Sequence, residues 1–191
     1  MTELREQILL CARDLFLEEG MSHFSMRKVA ACAGISATAI YRHFADKEAL
    51  LFHVLLKGFR IFAGYLRRVD EGAEPLAQLQ ATVMAYLDFA LREQAYYEMM
   101  FMSSEQMTGL KRLNTDGADE MQQTFTLLEQ RVRGAITSGS LKAGDAHRTA
   151  FGIWAYAHGQ IALFIAGRTG MERKAFVELY RGLMSDYLKQ V

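Results

Sequence analysis

The 191-residue sequence has a single proline, Pro75, only two cysteines, one tryptophan and no excess of either charge, with 22 lysines and arginines against 22 aspartates and glutamates. So little proline, in a chain rich in Leu, Ala, Met and Glu, argues against a sheet protein and for an all-α one. Cys11 and Cys32 sit in helix-like sequence and make neither a disulfide framework nor a zinc site. They read as small buried hydrophobes, and a reducing, cytoplasmic compartment is expected. The histidines, His23, His43, His53, His147 and His158, are scattered over separate segments. No His-Glu-x-x-His, paired Glu-x-x-His, phosphate-cradling glycine loop or Ser-His-Asp arrangement is present, so no enzyme activity, metal or cofactor is expected. Glu3, Arg5, Glu6, Arg13, Asp14, Glu18 and Glu19 break up the first twenty residues, which argues against a secretory leader there. One uncharged run, Thr149 to Gly167, approaches the roughly 20 residues of a membrane span. Its centre is His158-Gly159-Gln160, costly in hydrocarbon, so a buried helix and no membrane partner are expected.

Zero net charge by itself speaks against a nucleic-acid binder, but the charges are not evenly spread. Residues 1–24 hold two basic and five acidic side chains. Residues 25–60 hold six basic ones (Arg27, Lys28, Arg42, Lys47, Lys57, Arg60) and two acidic ones, Asp46 and Glu48. A local phosphate-facing surface fits that stretch. Hydrophobic periodicity and punctuation predict about nine helices. The first runs from about Glu3 to Glu19, with Leu4, Ile8, Ala12, Leu15 and Phe16 on one face and Gly20 ending it. Ser25 caps a short helix from Met26 to Ala33. Ser36 caps another from Ala37 to His43. Asp46 caps a long one from Lys47 to about Val69. Gly72 to Pro75 breaks the chain, and helices follow at about 76–93, 95–108, 117–138, 146–167 and 172–189. Their breaks are Gly109 with Asn114 to Gly117, Ser138 to Gly144, and Gly167 to Gly170, and Asp145 is a candidate cap. Three consecutive parts are expected: 1–46, a connecting helix over 47–70, and 71–191.

The segment from Ser25 to Leu51 carries the chemistry. Two short helices flank Gly34-Ile35-Ser36, a turn of helix-turn-helix length, and Gly34 supplies the positive φ it needs. Ala30, Ile35, Ile40 and Phe44 form a small core. Ala37, Thr38, Ala39, Tyr41, Arg42 and His43 then face outward, small residues permitting close approach to a groove and polar ones supplying donors. Phe16, Gly20, Ser25-Met26-Arg27, Val29-Ala30, Ala33 to Ser36, Ile40 to Phe44 and Lys47 to Leu50 together resemble the TetR family of repressors over roughly the first 60 residues. The resemblance implies that Tyr41 and Lys47 contact phosphates, that Thr38, Ala39 and Arg42 lie nearest the bases, and that Ser25 and Arg27 touch the backbone. It also implies double-stranded operator DNA as partner and a homodimer.

Beyond Pro75 the chain is rich in methionine and aromatics: Met84, Tyr86, Phe89, Tyr96, Tyr97, Met99, Met100, Phe101, Met102, Met107, Met121 and Phe125. Residues 96–102 are too apolar for an ordinary amphipathic helix. They suit either plain core or a pocket for a small apolar or aromatic effector. Phe89, Tyr97, Phe101, Met102, Phe125, Trp154 and His158 are the candidate lining. Trp154 to Gly159 resembles a Trp-x-x-x-His-Gly signature of some TetR-like C-terminal domains, and His158 is either a pocket group or a satisfied core histidine. Phe151, Ile161, Ile165, Phe176, Tyr180, Leu183 and Tyr187 are the candidate dimer interface. A ligand-responsive repressor is the expected function. A helical carrier of apolar ligands or lipids, without DNA binding, is the alternative.

Overall fold

A computed structural model describes residues 2–103 and 118–191. Among these it contains nine helices and no strand: α1 (Thr2–His23), α2 (Met26–Cys32), α3 (Ala37–Ile40), α4 (Lys47–Leu66), α5 (Pro75–Arg92), α6 (Gln94–Phe101), α7 (Ala118–Thr137), α8 (Ala146–Ile165) and α9 (Arg173–Gln190). The continuation of the expected 95–108 helix past Ser103, the breaks at Gly109 and 114–117, Met107 and the Met121 side chain lie outside the described residues. The chain divides into two compact units, Met1–Ile61 with Glu93–Met121, and Phe62–Arg92 with Gln122–Val191. The first unit takes in α6, which packs on α1, and α4 changes unit at Phe62.

In the first unit, local signals fix each helix end. Gly20 takes φ 71° inside α1 and turns the chain. The Ser25 hydroxyl accepts from Lys28 N–H at 3.3 Å and Ser36 from Ala39 N–H at 3.1 Å, so both short helices are capped. Between them, Gly34 at φ 69° lets Ile35 N–H donate to the Ala30 carbonyl at 2.9 Å while Gly34 N–H donates to Ala31 at 3.2 Å. This paired bonding closes α2 and aims α3. The expected helix to His43 is shorter than predicted. After Ile40 it tightens into three-residue turns, with Arg42 N–H on Ala39 and His43 N–H on Ile40. Ile8, Ala12, Phe16, Phe24, Val29, Ala30, Ile40, Phe44 and Leu50 are buried and form one core. The Asp46 carboxylate accepts Ala49 N–H at 2.7 Å and starts α4.

By length and composition α4 is long and apolar enough to cross a membrane. Its Leu50, Leu51, Val54, Leu55, Leu56 and Phe59 are buried, so that apolarity is used in the core. A Cβ on Gly58 would stand 2.6 Å from Met100 Sδ and 3.1 Å from Tyr96 Cδ1, which brings α6 against the α4 backbone. One expectation is corrected here. Cys11 and Cys32 are joined in a disulfide, with Cα atoms 5.9 Å apart, and Cys32 is exposed rather than buried. The two sit 21 residues apart on different helices, a separation that no local pattern reports.

In the second unit, α5, α7, α8 and α9 surround a core of Leu79, Val83, Phe89, Val132, Ile153, Ile161, Phe176, Tyr180 and Leu188. The buried Tyr180 hydroxyl donates to the Val83 carbonyl at 2.9 Å. Phe164 stacks on Phe176 at 4.1 Å and Tyr156 on Tyr187 at 4.5 Å, setting the register of α8 against α9. Asp145 caps α8 as expected, accepting Arg148 N–H at 2.7 Å. Arg131 of α7 is buried and donates to Thr82 Oγ1 at 2.6 Å and to the Leu66 carbonyl at the end of α4 at 3.1 Å. Burial pushes its pKa down, which the nearby Glu71 carboxylate partly offsets.

Candidate nucleic-acid interface and sensing residues

The α2–α3 turn leaves a polar rim outside its core. Arg27, Ala37, Thr38, Tyr41 and Arg42 are exposed, while Ser25, Ala39, His43 and Lys47 are half-buried. Tyr41 is 55% exposed, although its neighbours Ile40 and Phe44 are buried. Folding therefore leaves a large aromatic on the surface, where its hydroxyl can meet a polar partner. The electrostatics sharpen what the sequence shows. Lys28 pairs with Glu19 at 2.5 Å, and Lys57 pairs with Glu6. The acidic α1 thus neutralises two of the six cations. Among the described residues, Arg27, Arg42 and Lys47 form no ion pair, and they lie at α2, the end of α3 and the start of α4. Unpaired cations gathered around a capped turn attract phosphate.

The seven candidate lining residues fall into both units. Tyr97, Phe101 and Met102 belong to the first, where Phe101 packs on Tyr97 and on Phe59. Phe89, Phe125, Trp154 and His158 belong to the second. There the rings run in series: Phe125 to Trp154 at 6.2 Å, then Trp154 to His158 at 6.1 Å. Tyr86 joins this series to Phe89. Its ring lies 5.4 Å from Phe62, and Phe62 lies 4.8 Å from Phe89. Trp154 Nε1 donates to the Tyr86 hydroxyl at 3.3 Å, and that hydroxyl is 3.1 Å from His158 Nδ1. Indole N–H only donates, so the Tyr86 oxygen accepts from Trp154, while the direction of its bond with His158 Nδ1 is set by the imidazole tautomer. Burial lowers the His158 pKa and so favours the neutral ring. Tyr86 is one of the aromatics beyond Pro75 but lies outside the expected lining; its polar partners are 68 and 72 residues away in the sequence. A separate cavity of about 450 Å³, lined by Val83, Met84, Met184 and Leu188 with Gln80 and Arg181, lies between α5 and α9.

The expected interface residues divide. Ile161, Phe176 and Tyr180 are buried in the core of their own unit and are not available to a partner; this corrects that part of the expectation. Ile165, Leu183 and Tyr187 are half-buried. Phe151 is exposed, and Leu163 on α8 and Leu179 on α9 join it at 54% and 41% exposure. A Cβ on Gly159 or Gly182 would meet nothing, so the backbones of both helices can be approached from outside.

Residues 8–54 match the family described as "Bacterial regulatory proteins, tetR family", and residues 79–187 match "Tetracyclin repressor-like, C-terminal domain". The HTH-type transcriptional repressor KstR2 of Mycobacterium tuberculosis is 40% identical over 83 residues, which cover 42% of this chain and 41% of that protein. A Staphylococcus aureus HTH-type transcriptional regulator is 31% identical over 85 residues, covering 44% of this chain and 46% of the relative. The matched region therefore spans less than half the length of these curated relatives. Among solved structures, the fatty acid degradation regulator FadR of Bacillus halodurans superposes with a TM-score of 0.78 at 16% identity, covering 94% of this chain and 93% of that one. The TetR family regulator PfmR of Thermus thermophilus superposes with a TM-score of 0.77 at 21% identity, covering 95% and 97%. The fold is theirs, and with both sequence regions matched the chain belongs to the TetR family of bacterial transcription regulators.

Proposed function

We propose that this chain is a ligand-responsive repressor that binds double-stranded operator DNA as a homodimer and is released by a small apolar or aromatic effector. One observation carries the DNA-binding part: among the described residues, Arg27, Arg42 and Lys47 stay uncompensated around the capped turn that exposes Thr38 and Tyr41. A carrier of apolar ligands has no use for such a rim. Tyr41, Lys47, Ser25 and Arg27 take phosphates in this reading, and Thr38, Ala39 and Arg42 approach base edges, with Ala37 and His43 beside them. The curated relative named as a repressor supports the sign of regulation. Phe151, Leu163 and Leu179, with open glycines between them, supply the apolar face through which two copies pair. The effector is read in the second unit by Phe125, Trp154 and His158, with Tyr86 holding the last two in place and the buried Phe89 backing the series. Its polar demand is small, because that surface offers aromatic faces and few hydrogen-bonding groups. The cytoplasm, where operator DNA is accessible, is the proposed compartment.

Selection of bound duplexes from a random or genomic pool tests the reading. The expected product is an inverted repeat with half-sites about one helical turn, or a multiple, apart. Recovery of no enriched inverted repeat would overturn it.

A further inference from the structure

We propose that Cys11 and Cys32 form a reversible thiol–disulfide site in the DNA-reading unit, and that small-molecule disulfides exchange with it through Cys32. The two are the only cysteines in the chain, so each has one possible internal partner. Their Cα atoms are 5.9 Å apart, within the roughly 4.4–6.8 Å that a disulfide spans. That separation is set by contacts other than the bond. Ile8, Ala12, Val29 and Ala30 are buried between the helices, Phe16 meets Phe24 at 6.5 Å, and Lys28 of α2 pairs with Glu19 of α1. The thiols therefore face each other in the reduced protein too, and closure needs no rearrangement.

Access is one-sided. Cys11 is buried on α1, while Cys32, the last residue of α2, is exposed. Exchange begins there. The Cys32 thiolate attacks one sulfur of a small disulfide, whose S–S bond breaks and releases one small thiolate. The Cys11 thiolate then attacks the Cys32 sulfur of this mixed disulfide and expels the second small thiolate. The protein loses two electrons and two protons, and the small disulfide gains both as two thiols. An excess of small thiol runs the same steps backwards.

The bond is placed to act on the framework rather than on the reading surface. Cys32 is four residues from Lys28, on the α1-facing side of α2, and about 140° around the helix from Arg27. Closing a loop with a sequence separation of 21 chiefly restricts the unfolded chain. The expected consequence is a rise of about 10 °C in the thermal midpoint.

The test is incubation of reduced, folded protein with glutathione disulfide, followed by thiol alkylation and intact-mass spectrometry. Wild type is expected to lose both alkylatable thiols and retain no glutathione. Cys11→Ser should stop with one glutathione on Cys32, and Cys32→Ser should lag far behind. The thermal midpoint should rise in wild type alone. Wild type that keeps both thiols or carries two glutathiones overturns the proposal. So does Cys11→Ser that takes up no glutathione while its circular dichroism matches wild type. None of these readouts uses operator DNA, so the result stands apart from the regulator reading.

Discussion

Gly34 offers a clean separation of backbone strain from packing. A Cβ added there meets nothing within 4 Å, so Gly34→Ala introduces no clash. What it introduces is a side chain at φ 69°, a conformation that costs about 1–2 kcal/mol for an L residue. The mutant chain could relax only by giving up the Ile35–Ala30 and Gly34–Ala31 bonds. Those two are worth about 1–3 kcal/mol together, and relaxing would also unseat α3. Strain is thus no dearer than relaxation, and the turn should hold its shape. Reduced conformational freedom in the unfolded alanine chain returns about 0.4–1 kcal/mol of opposite effect. The expected outcome is a net loss near 1 kcal/mol, read as a fall of about 2–4 °C in the thermal midpoint, with operator affinity changed by less than about threefold. Gly34→Asn should fall between wild type and alanine, because asparagine tolerates the left-handed region. Differential scanning fluorimetry and fluorescence anisotropy on a labelled operator give both numbers. An alanine variant as stable as wild type, or one that loses operator binding while keeping its midpoint, would refute the reasoning.

Other expectations follow from the remaining surfaces. Lys47→Ala should weaken binding to all duplexes alike and reduce the slope of log affinity against log salt by about 1, whereas Arg42→Ala should change sequence preference; equal effects of both on every duplex would remove Arg42 from the bases. Leu163→Glu and Leu179→Glu should give folded monomers by analytical ultracentrifugation, since both side chains are exposed within the chain; dimers that survive both changes would place the interface elsewhere. Burial holds His158 and His53 below the ordinary histidine value of 6.5, so the unfolded chain binds their protons first. The stability they contribute is present above that value and is lost as the pH falls through it toward their folded values, and His158→Gln should flatten part of this decline in thermal melts; an unchanged acid slope would count against a neutral, buried His158. Tyr86→Phe removes the hydroxyl between Trp154 and His158 and should shift effector potency without weakening effector-free operator binding; loss of operator binding in that variant would make Tyr86 a support of the fold.

The features legible in the sequence were those written within a few residues. Ser25, Ser36, Asp46 and Asp145 each cap the helix that follows by a bond three residues long, and Gly34 turns the chain beside its own partners. Illegible were contacts between distant segments: Cys11 with Cys32, Tyr86 with His158, and Arg131 with Thr82 and Leu66. Helical periodicity shows that α8 and α9 are apolar on more than one side, but it does not say which side their own unit covers. For that reason the sequence does not distinguish the inward Ile161, Phe176 and Tyr180 from the outward Leu163 and Leu179.

That same arrangement bears on how such a protein diversifies after gene duplication. On α8, Ile161 is inside and Leu163 outside; on α9, Tyr180 is inside and Leu179 outside. The stacked pairs Phe164–Phe176 and Tyr156–Tyr187 hold the two helices together without help from the outer row. Substitutions in the outer row therefore leave folding intact while altering which surface it complements. If two copies pair through this row, as proposed, a duplicated copy would stop pairing with its parent through one or two changes at Leu163 or Leu179, because a charge facing an apolar partner is enough to exclude it.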